Sequence, residues 1–458
     1  MKTVCKLLLP LLCAALLLTG CSPVDFFSTD SLLRAPRLTG TNAALQQAFE
    51  AAVGKDVFLV SPLTGEYRSA YVLKDCNGDK VEEAFVFYVR HGSENTVHVH
   101  LLEYAEHAWY SAADIAGNGS EIYKVEFFNI DGDPDQELAV TWTVSDSRRD
   151  KTLSLYNLDF AHDPGSDLFN PLASVQVFDY FVADFDKDRQ NELFYVYFDS
   201  TEEKNGAYAK LLKYSEADTV LYPVNEVKFD GRASNLLAVK YDYADGRYEF
   251  YADCAVGENS YYTELILYEP ETATLSLPLR ALYEDPVAQT RRSSLLYADD
   301  VDGDGRIEIP VERNLDNSFV INYPESETVP LRCVSWLRFG QEGFTTTVTY
   351  YVSDAYGYRL RLDPALGALY IINDYMTGEV QFRSAESLSG ETNEGDEAAA
   401  PDDLLFTVSP AMRARTAAPD ADPAADAASK LRIVVTDFGR SRNITRKTVE
   451  ALIETVDA

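Results

Sequence analysis

The sequence predicts a mainly β fold: a β-propeller of about five to seven blades followed by a smaller C-terminal α+β domain. Three observations predict it. Tyr and Phe are abundant, 29 and 23 residues against 3 Met, and aromatic residues favour the pleated, half-buried surface of a strand. Strand-like runs alternate with acidic turns, the pattern of antiparallel hairpins. The acidic turns recur with a period of roughly fifty-five residues, long enough for the four short strands of a blade that buries its faces only against its neighbours. At 458 residues the chain exceeds the size at which one core stops growing, so two or more cores are expected.

The N-terminus carries Lys2 and Lys6, an apolar stretch from Leu7 to Leu18, then Thr19-Gly20-Cys21. That stretch is too short to span a bilayer, and its charged front and small-residue end fit an export signal over residues 1–20. Leu18-Thr19-Gly20-Cys21 resembles the lipobox of bacterial lipoproteins. The resemblance implies cleavage before Cys21, acylation of its thiol with a fatty acid such as palmitate, and a chain anchored on the extracytoplasmic face of the cell membrane. Residues 21–55 then form a lipidated tether and a short helix. Asn42 is placed to cap that helix, Leu45, Ala48, Phe49 and Ala52 share one face, and Gly54 ends it. No later apolar run is long enough to cross a membrane.

Four segments between about residues 56 and 330 carry an acid or amide at the first, third and fifth places and a glutamate at the ninth. They are Asp75, Asn77, Asp79 and Glu83; Asn129, Asp131, Asp133 and Glu137; Asp184, Asp186, Asp188 and Glu192; and Asp300, Asp302, Asp304 and Glu308. Each sits between strand-like runs, Ala70 to Leu73 and Ala84 to Val89 around the first, Phe178 to Ala183 and Leu193 to Phe198 around the third. First positions at 75, 129, 184 and 300 give steps of 54, 55 and 116, the last being two steps of 58. A hidden repeat is therefore expected near Tyr241-Asp242-Tyr243-Ala244-Asp245-Gly246, where Gly246 and Phe250 replace the fifth-place and ninth-place acids. Between the first two loops the candidate strands are Ala84 to Val89, Val97 to Tyr104, Ala108 to Ala112 and Ile122 to Asn129.

Alternate side chains of a tight acidic turn converge, and calcium needs six to eight oxygen ligands from such a turn. Asp and Asn also cap their own turns without metal, but a turn alone does not need the ninth-place carboxylate, and clustered carboxylates repel. The twelfth places are Val86, Val140, Tyr195 and Val311, which excludes an EF-hand, whose bidentate glutamate stands there. The pattern, best in Asp300-Val301-Asp302-Gly303-Asp304-Gly305-Arg306-Ile307-Glu308, resembles the FG-GAP and VCBS-type repeats of integrin-like propellers. That resemblance implies calcium in all four loops, as structural staples rather than catalytic centres. The chain departs from it in the ninth-place glutamate and in Lys80, Pro134 and Arg189, which stand where a sixth-place glycine is usual.

Beyond about residue 331 the acidic repeat stops. Thr345 to Val352, Tyr358 to Leu362, Ala368 to Asn373, Leu404 to Val408 and Leu431 to Val435 read as strands, and Val449, Leu452, Ile453 and Val456 as a closing amphipathic helix. The Glu/Ala/Pro/Gly-rich and Ala/Asp/Pro-biased segments near 385–402 and 413–429 are expected to be disordered insertions in an α+β domain over 331–458, a sixth propeller blade built from some of the same strands being the alternative.

The formal net charge is -34, becoming -36 once Lys2 and Lys6 are removed with the signal, so nucleic acid is excluded as a partner. Cys76, Cys254 and Cys333 form no disulfide framework and no CxxC pair. His91, His98, His100 and His107 read as a solvent-facing strand and its turns rather than a zinc site. No nucleophile elbow, P-loop, HExxH or dinucleotide fingerprint is present, and no catalytic residue is nominated. Three functions follow: a non-enzymatic binding or adhesion scaffold for a protein, glycan or cell-wall ligand; a surface hydrolase or lyase acting on polysaccharide or peptide in the propeller funnel; and solute capture for a transporter.

Overall fold

The computed structural model describes residues 41–144, 147–160, 168–240, 248–324, 326–340, 342–386, 403–410 and 431–455. The export segment, Cys21, the tether over 22–40, the turn at 241–246 and the acidic segments over 387–402 and 413–429 lie outside the described residues. Strand accounts for 58% and helix for 11%, so the chain is mainly β. Among the described residues no helix is long and apolar enough to cross a membrane.

The strands form five sheets in chain order. The first holds Val57–Leu59 and Tyr71–Lys74 on one edge of Glu83–Arg90, followed by Ser93–Ala105 and Ala108–Ala116. Three four-stranded antiparallel meanders follow: Glu121–Phe128, Glu137–Val144, Ser147–Leu158 and Phe169–Val177; then Asp179–Ala183, Glu192–Asp199, Gly206–Ser215 and Val220–Phe229; then Arg232–Lys240, Tyr248–Gly257, Ser260–Glu269 and Thr274–Ser276. The strands expected around the acidic loops agree with these to within a few residues. A fourth sheet stands where the hidden repeat was expected, its first two strands ending at Lys240 and starting at Tyr248.

Consecutive sheets pack face to face, which explains the near-continuous apolar second strands. Side chains alternate across a strand, so Leu193 and Tyr195 join a core with Leu153 and Leu155 of the second sheet. Phe194 and Val196 point the other way, into a core with Phe250 and Tyr262 of the fourth. The Phe194 and Phe250 rings stack at 3.6 Å between centroids. Equivalent cores join the first sheet to the second through Phe85, Phe87, Leu138 and Val140, and the fourth to the fifth through Tyr251, Leu265, Ile309 and Leu337.

The helix runs Thr41–Val53 and buries Leu45 and Phe49 against Val86, Tyr88 and Leu102 of the first sheet. Gly54 ends it with φ +91, a conformation that costs glycine least. Ala52, expected on the packed face, is exposed, because the buried stripe follows i, i+4 steps from Leu45 through Phe49 to Val53.

The fifth sheet has nine strands, in the order Leu431–Val435, Leu404–Pro410, Val380–Ser384, Leu369–Asp374, Glu308–Tyr323, Ser326–Gly340, Gly343–Ser353, Tyr358–Arg361 and Ile453–Thr455. Ser326–Gly340 runs through residues 330 and 331, and its pairing with Glu308–Tyr323 skips there from Asn314–Arg332 to Phe319–Pro330, an irregularity at the place where the sequence reading set its boundary. One pair in this sheet is parallel, Phe319 opposite Ile372. The closing amphipathic helix is not formed as expected: Arg446–Glu450 is a five-residue helix, and Ile453 is in a strand that pairs with Leu360. Val449, Leu452 and Ile453 are nonetheless all buried in the C-terminal core. Their apolar spacing reports burial without specifying the backbone that delivers it. Val456 lies outside the described residues.

The connection between the fourth and fifth sheets is pinned by a buried ion pair. Arg292 Nη2 meets Asp253 Oδ1 at 2.8 Å, with side-chain exposures of 0% and 2%. Arg292 also donates to the Thr290 and Leu296 carbonyls, and Asp253 accepts from Thr263 Oγ1 and Ala298 N. Arg292→Met leaves Asp253 charged and buried without its cation. It is expected to cost about 3–5 kcal/mol in urea unfolding, and a loss below about 1 kcal/mol would show that water replaces the guanidinium.

Candidate functional site

All four acidic loops occupy one topological place, the turn before the long, buried strand that their ninth-place glutamate begins. Their wiring is nearly the same. The glutamate accepts from the second-place backbone N–H: Cys76 N to Glu83 at 2.8 Å, Ile130 N to Glu137, Phe185 N to Glu192 at 2.8 Å, and Val301 N to Glu308 at 3.2 Å. The fifth-place N–H donates to the third-place side chain in every loop, and the seventh-place N–H to the fifth. The first-place side chain accepts from the fourth-place N–H in three loops. These bonds satisfy turn amides that strand pairing cannot reach. The ninth-place glutamate thus has a structural task in every loop, independent of any ion.

The turn bears on two of the three sixth-place departures; Pro134, whose ring fixes a negative φ, does not share their backbone. Gly305 has φ 84 there, and Lys80 and Arg189 adopt φ 72 and 79, a left-handed conformation that costs a residue with a Cβ about 1–2 kcal/mol. Lys80→Gly is therefore expected to raise stability by roughly 0.5–1 kcal/mol in chemical denaturation. A loss would mean that the Lys80 side chain contributes more than its backbone costs.

Carboxylate oxygens lie within 4.8 Å of one another in Asp131, Asp133 and Glu137; in Asp184, Asp186 and Glu192; and in Asp300, Asp302 and Asp304. Asp75, Asp79 and Glu83 form no such group among the described residues. Neighbouring loops touch: Gln136 N donates to the Cys76 carbonyl at 2.8 Å, and Gln190 Nε2 to the Asp131 carbonyl at 3.2 Å.

The sequence reading missed two basic side chains. Lys213 Nζ reaches Asp186, Asp188 at 2.9 Å and Glu192 at 3.4 Å. Arg338 Nη2 reaches Asp304 at 2.9 Å, Asp302 at 3.3 Å and Glu308. Burial opposes the Lys213 charge, but its bonds to Asp186 and Asp188 outweigh it and hold the ammonium above its ordinary value. Both lie in strands paired with the strand that begins at the ninth-place glutamate. Their link to the loops is a matter of register, which residue spacing along the chain does not reveal.

The histidines also differ from expectation. His100 is 3% exposed rather than solvent-facing, and bonds Ser111 Oγ at 3.0 Å. His98 and His100 both turn Nδ1 toward Asp114 Oδ1, at 3.6 and 3.7 Å. Tyr88 OH and Arg90 hold the other oxygen of Asp114 at 2.8 and 3.2 Å.

Burial pushes the Glu83 carboxyl from its ordinary 4.5 up to about 7 and that of Glu137 up to about 8. Nearby acids raise both further, and the backbone bonds from Cys76 and Ile130 oppose the shift. The folded chain therefore holds these protons more tightly than the unfolded chain does. The associated stability is complete below about pH 4.5 and is lost as pH rises through about 7 for Glu83 and about 8 for Glu137. In metal-free buffer, unfolding free energy is expected to fall across that window, and Glu137→Gln to flatten the fall. A rise with pH would contradict it.

No protein family and no curated protein matches the chain in sequence. Among solved structures it is similar to Sqt1 of Saccharomyces cerevisiae, at 8% identity over 78% of this chain and 94% of that one, with a TM-score of 0.29. It is also similar to an α-L-arabinofuranosidase from Clostridium thermocellum, at 10% identity over 62% and 94%, TM-score 0.22. A third is a B. megaterium levansucrase mutant, at 8% identity over 67% and 82%, TM-score 0.21. Scores this low do not establish a shared fold, and identity this low says nothing of activity.

Proposed function

We propose that this chain is a bacterial lipoprotein, anchored through Cys21 on the extracytoplasmic face of the cell membrane. Its sheets are arranged as a β-propeller and serve as a non-enzymatic binding or adhesion scaffold for a protein, glycan or cell-wall ligand. The observation that carries this reading is the recurrence of one hydrogen-bonded acidic turn before a long strand in four of the five described sheets. Each sheet finds its apolar partner in the next, which is how propeller blades are stabilised. The resulting surface presents many loops, which suits recognition more than closed-pocket solute capture.

Calcium is proposed as the stiffening cofactor, and the second loop fits it best. Asp131, Asp133 and Glu137 converge within 4.8 Å, and no basic side chain is paired with them among the described ion pairs. Asn129 adds its side-chain oxygen to a set of the kind a hard cation takes, while Asn157 donates its amide N–H to Asp131 at 3.3 Å. When bound, calcium supplies positive charge to carboxylates that otherwise repel. Asp131 and Asp133 hold the turn through their backbone bonds, and Glu137 ties it to the sheet.

Two measurements test this reading. In a bacterial host the full chain is expected in the membrane fraction, with Cys21→Ser released in soluble form. Continued sedimentation of that variant would remove the lipid anchor from the proposal. For the soluble Cys21→Ser chain, calcium at about a hundredfold above its dissociation constant adds about 2.7 kcal/mol per site. The melting temperature should then rise by a few degrees over that in chelator. An indifferent melting curve would reduce the loops to turns, and turnover of a polysaccharide or peptide would favour the hydrolase or lyase alternative.

A further inference from the structure

The residue across the strand pair from each ninth-place glutamate differs from loop to loop. Glu308 pairs directly with Arg338. One place beyond the pairs Leu193–Leu212, Leu138–Tyr156 and Ala84–Leu102, the same position is Lys213 opposite Glu192, Asn157 opposite Glu137 and Glu103 opposite Glu83. The two loops whose four acidic places are all carboxylates, the third and fourth, have a base there. The two with an amide among the four, the first and second, do not.

In the third loop the base lies inside the cage. Glu192 is fully buried, and its Oε1 has no hydrogen-bond partner; what faces that oxygen is the Lys213 ammonium at 3.4 Å. The same ammonium touches Asp186 and Asp188, so one charge meets three carboxylates from the third, fifth and ninth places. Two of them, Asp186 and Glu192, belong with Asp184 to the group whose oxygens converge within 4.8 Å, where a divalent cation would sit. Arg338 meets the third, fifth and ninth places of the fourth loop in the same way.

We propose that Lys213 and Arg338 are tethered replacements for a divalent cation, so that the third and fourth loops are neutralised by the chain itself and take no metal. A cation carried on the adjacent strand is present at high effective concentration and loses little freedom on pairing. A divalent ion entering the loop would have to displace it from the carboxylates it neutralises, or bear its repulsion at contact distance. This inference rests on the calcium reading only for the identity of the competing ion.

The test uses the soluble Cys21→Ser chain with Lys213→Gln, Lys213→Arg or Arg338→Gln added, and reads bound calcium by equilibrium dialysis and melting temperature in calcium and in chelator. Lys213→Gln is expected to melt lower than its parent in chelator, to recover in millimolar calcium, and to bind about one more calcium per chain. Arg338→Gln should do the same at the fourth loop, and Lys213→Arg should behave as the parent does. The proposal is overturned if Lys213→Gln gains no calcium, or if it stays unfolded in calcium while the parent folds. It is also overturned if the parent already fills the third and fourth loops. A parent that binds no calcium, beside a Lys213→Gln variant that does, would defeat calcium as the cofactor of the second loop and leave this inference standing.

Discussion

A buried carboxylate that accepts a hydrogen bond from the backbone seven residues before it is the interaction on which this structure depends. Glu83, Glu137, Glu192 and Glu308 each stand at the first residue of a long, buried strand, between 0% and 3% exposed, and each closes its turn through the second-place N–H. A charged group at such depth is costly unless its oxygens are bonded. That cost fixes the register between the turn and the strand. It also leaves each loop with excess negative charge that must be offset by a proton, a basic side chain or an ion.

The sheets transmit that constraint from one to the next. Because the third sheet sends Phe194 and Val196 toward the fourth, and Leu193 and Tyr195 toward the second, a one-residue slip at its turn would turn two cores inside out at once. Contacts between loops, such as Gln190 on the Asp131 carbonyl, join the same turns directly. Rigid turns and alternating cores are thus two descriptions of one register. They explain why the acidic motif recurs even where an ion is not needed to hold it.

Charge neutralisation then divides loops that are alike in backbone. The second loop has neutral Asn157 facing it, whereas the third and fourth have Lys213 and Arg338. Similar turns therefore differ in the charge that faces their carboxylates, decided by a residue on another strand. The His98, His100 and Asp114 cluster makes the same point in the first sheet, where neighbouring strands bring together groups 14 to 16 residues apart.

The sequence alone determined the mainly β character, the period, the place of every acidic turn and the position of a degenerate fourth repeat. Each of these is written in local spacing and residue type, which a turn or a strand enforces within a few residues. It also marked Val449, Leu452 and Ile453 as core, yet gave the wrong backbone for them, because a short apolar pattern fits a helix turn and a buried edge strand alike. Only the tertiary structure decided that the ladder of Ser326–Gly340 breaks register between Arg332 and Pro330, that His100 is buried, and that Lys213 and Arg338 lie in the acidic cages. Those facts depend on which residues face each other across strands, and strand register is set by the packing of whole sheets rather than by any one segment.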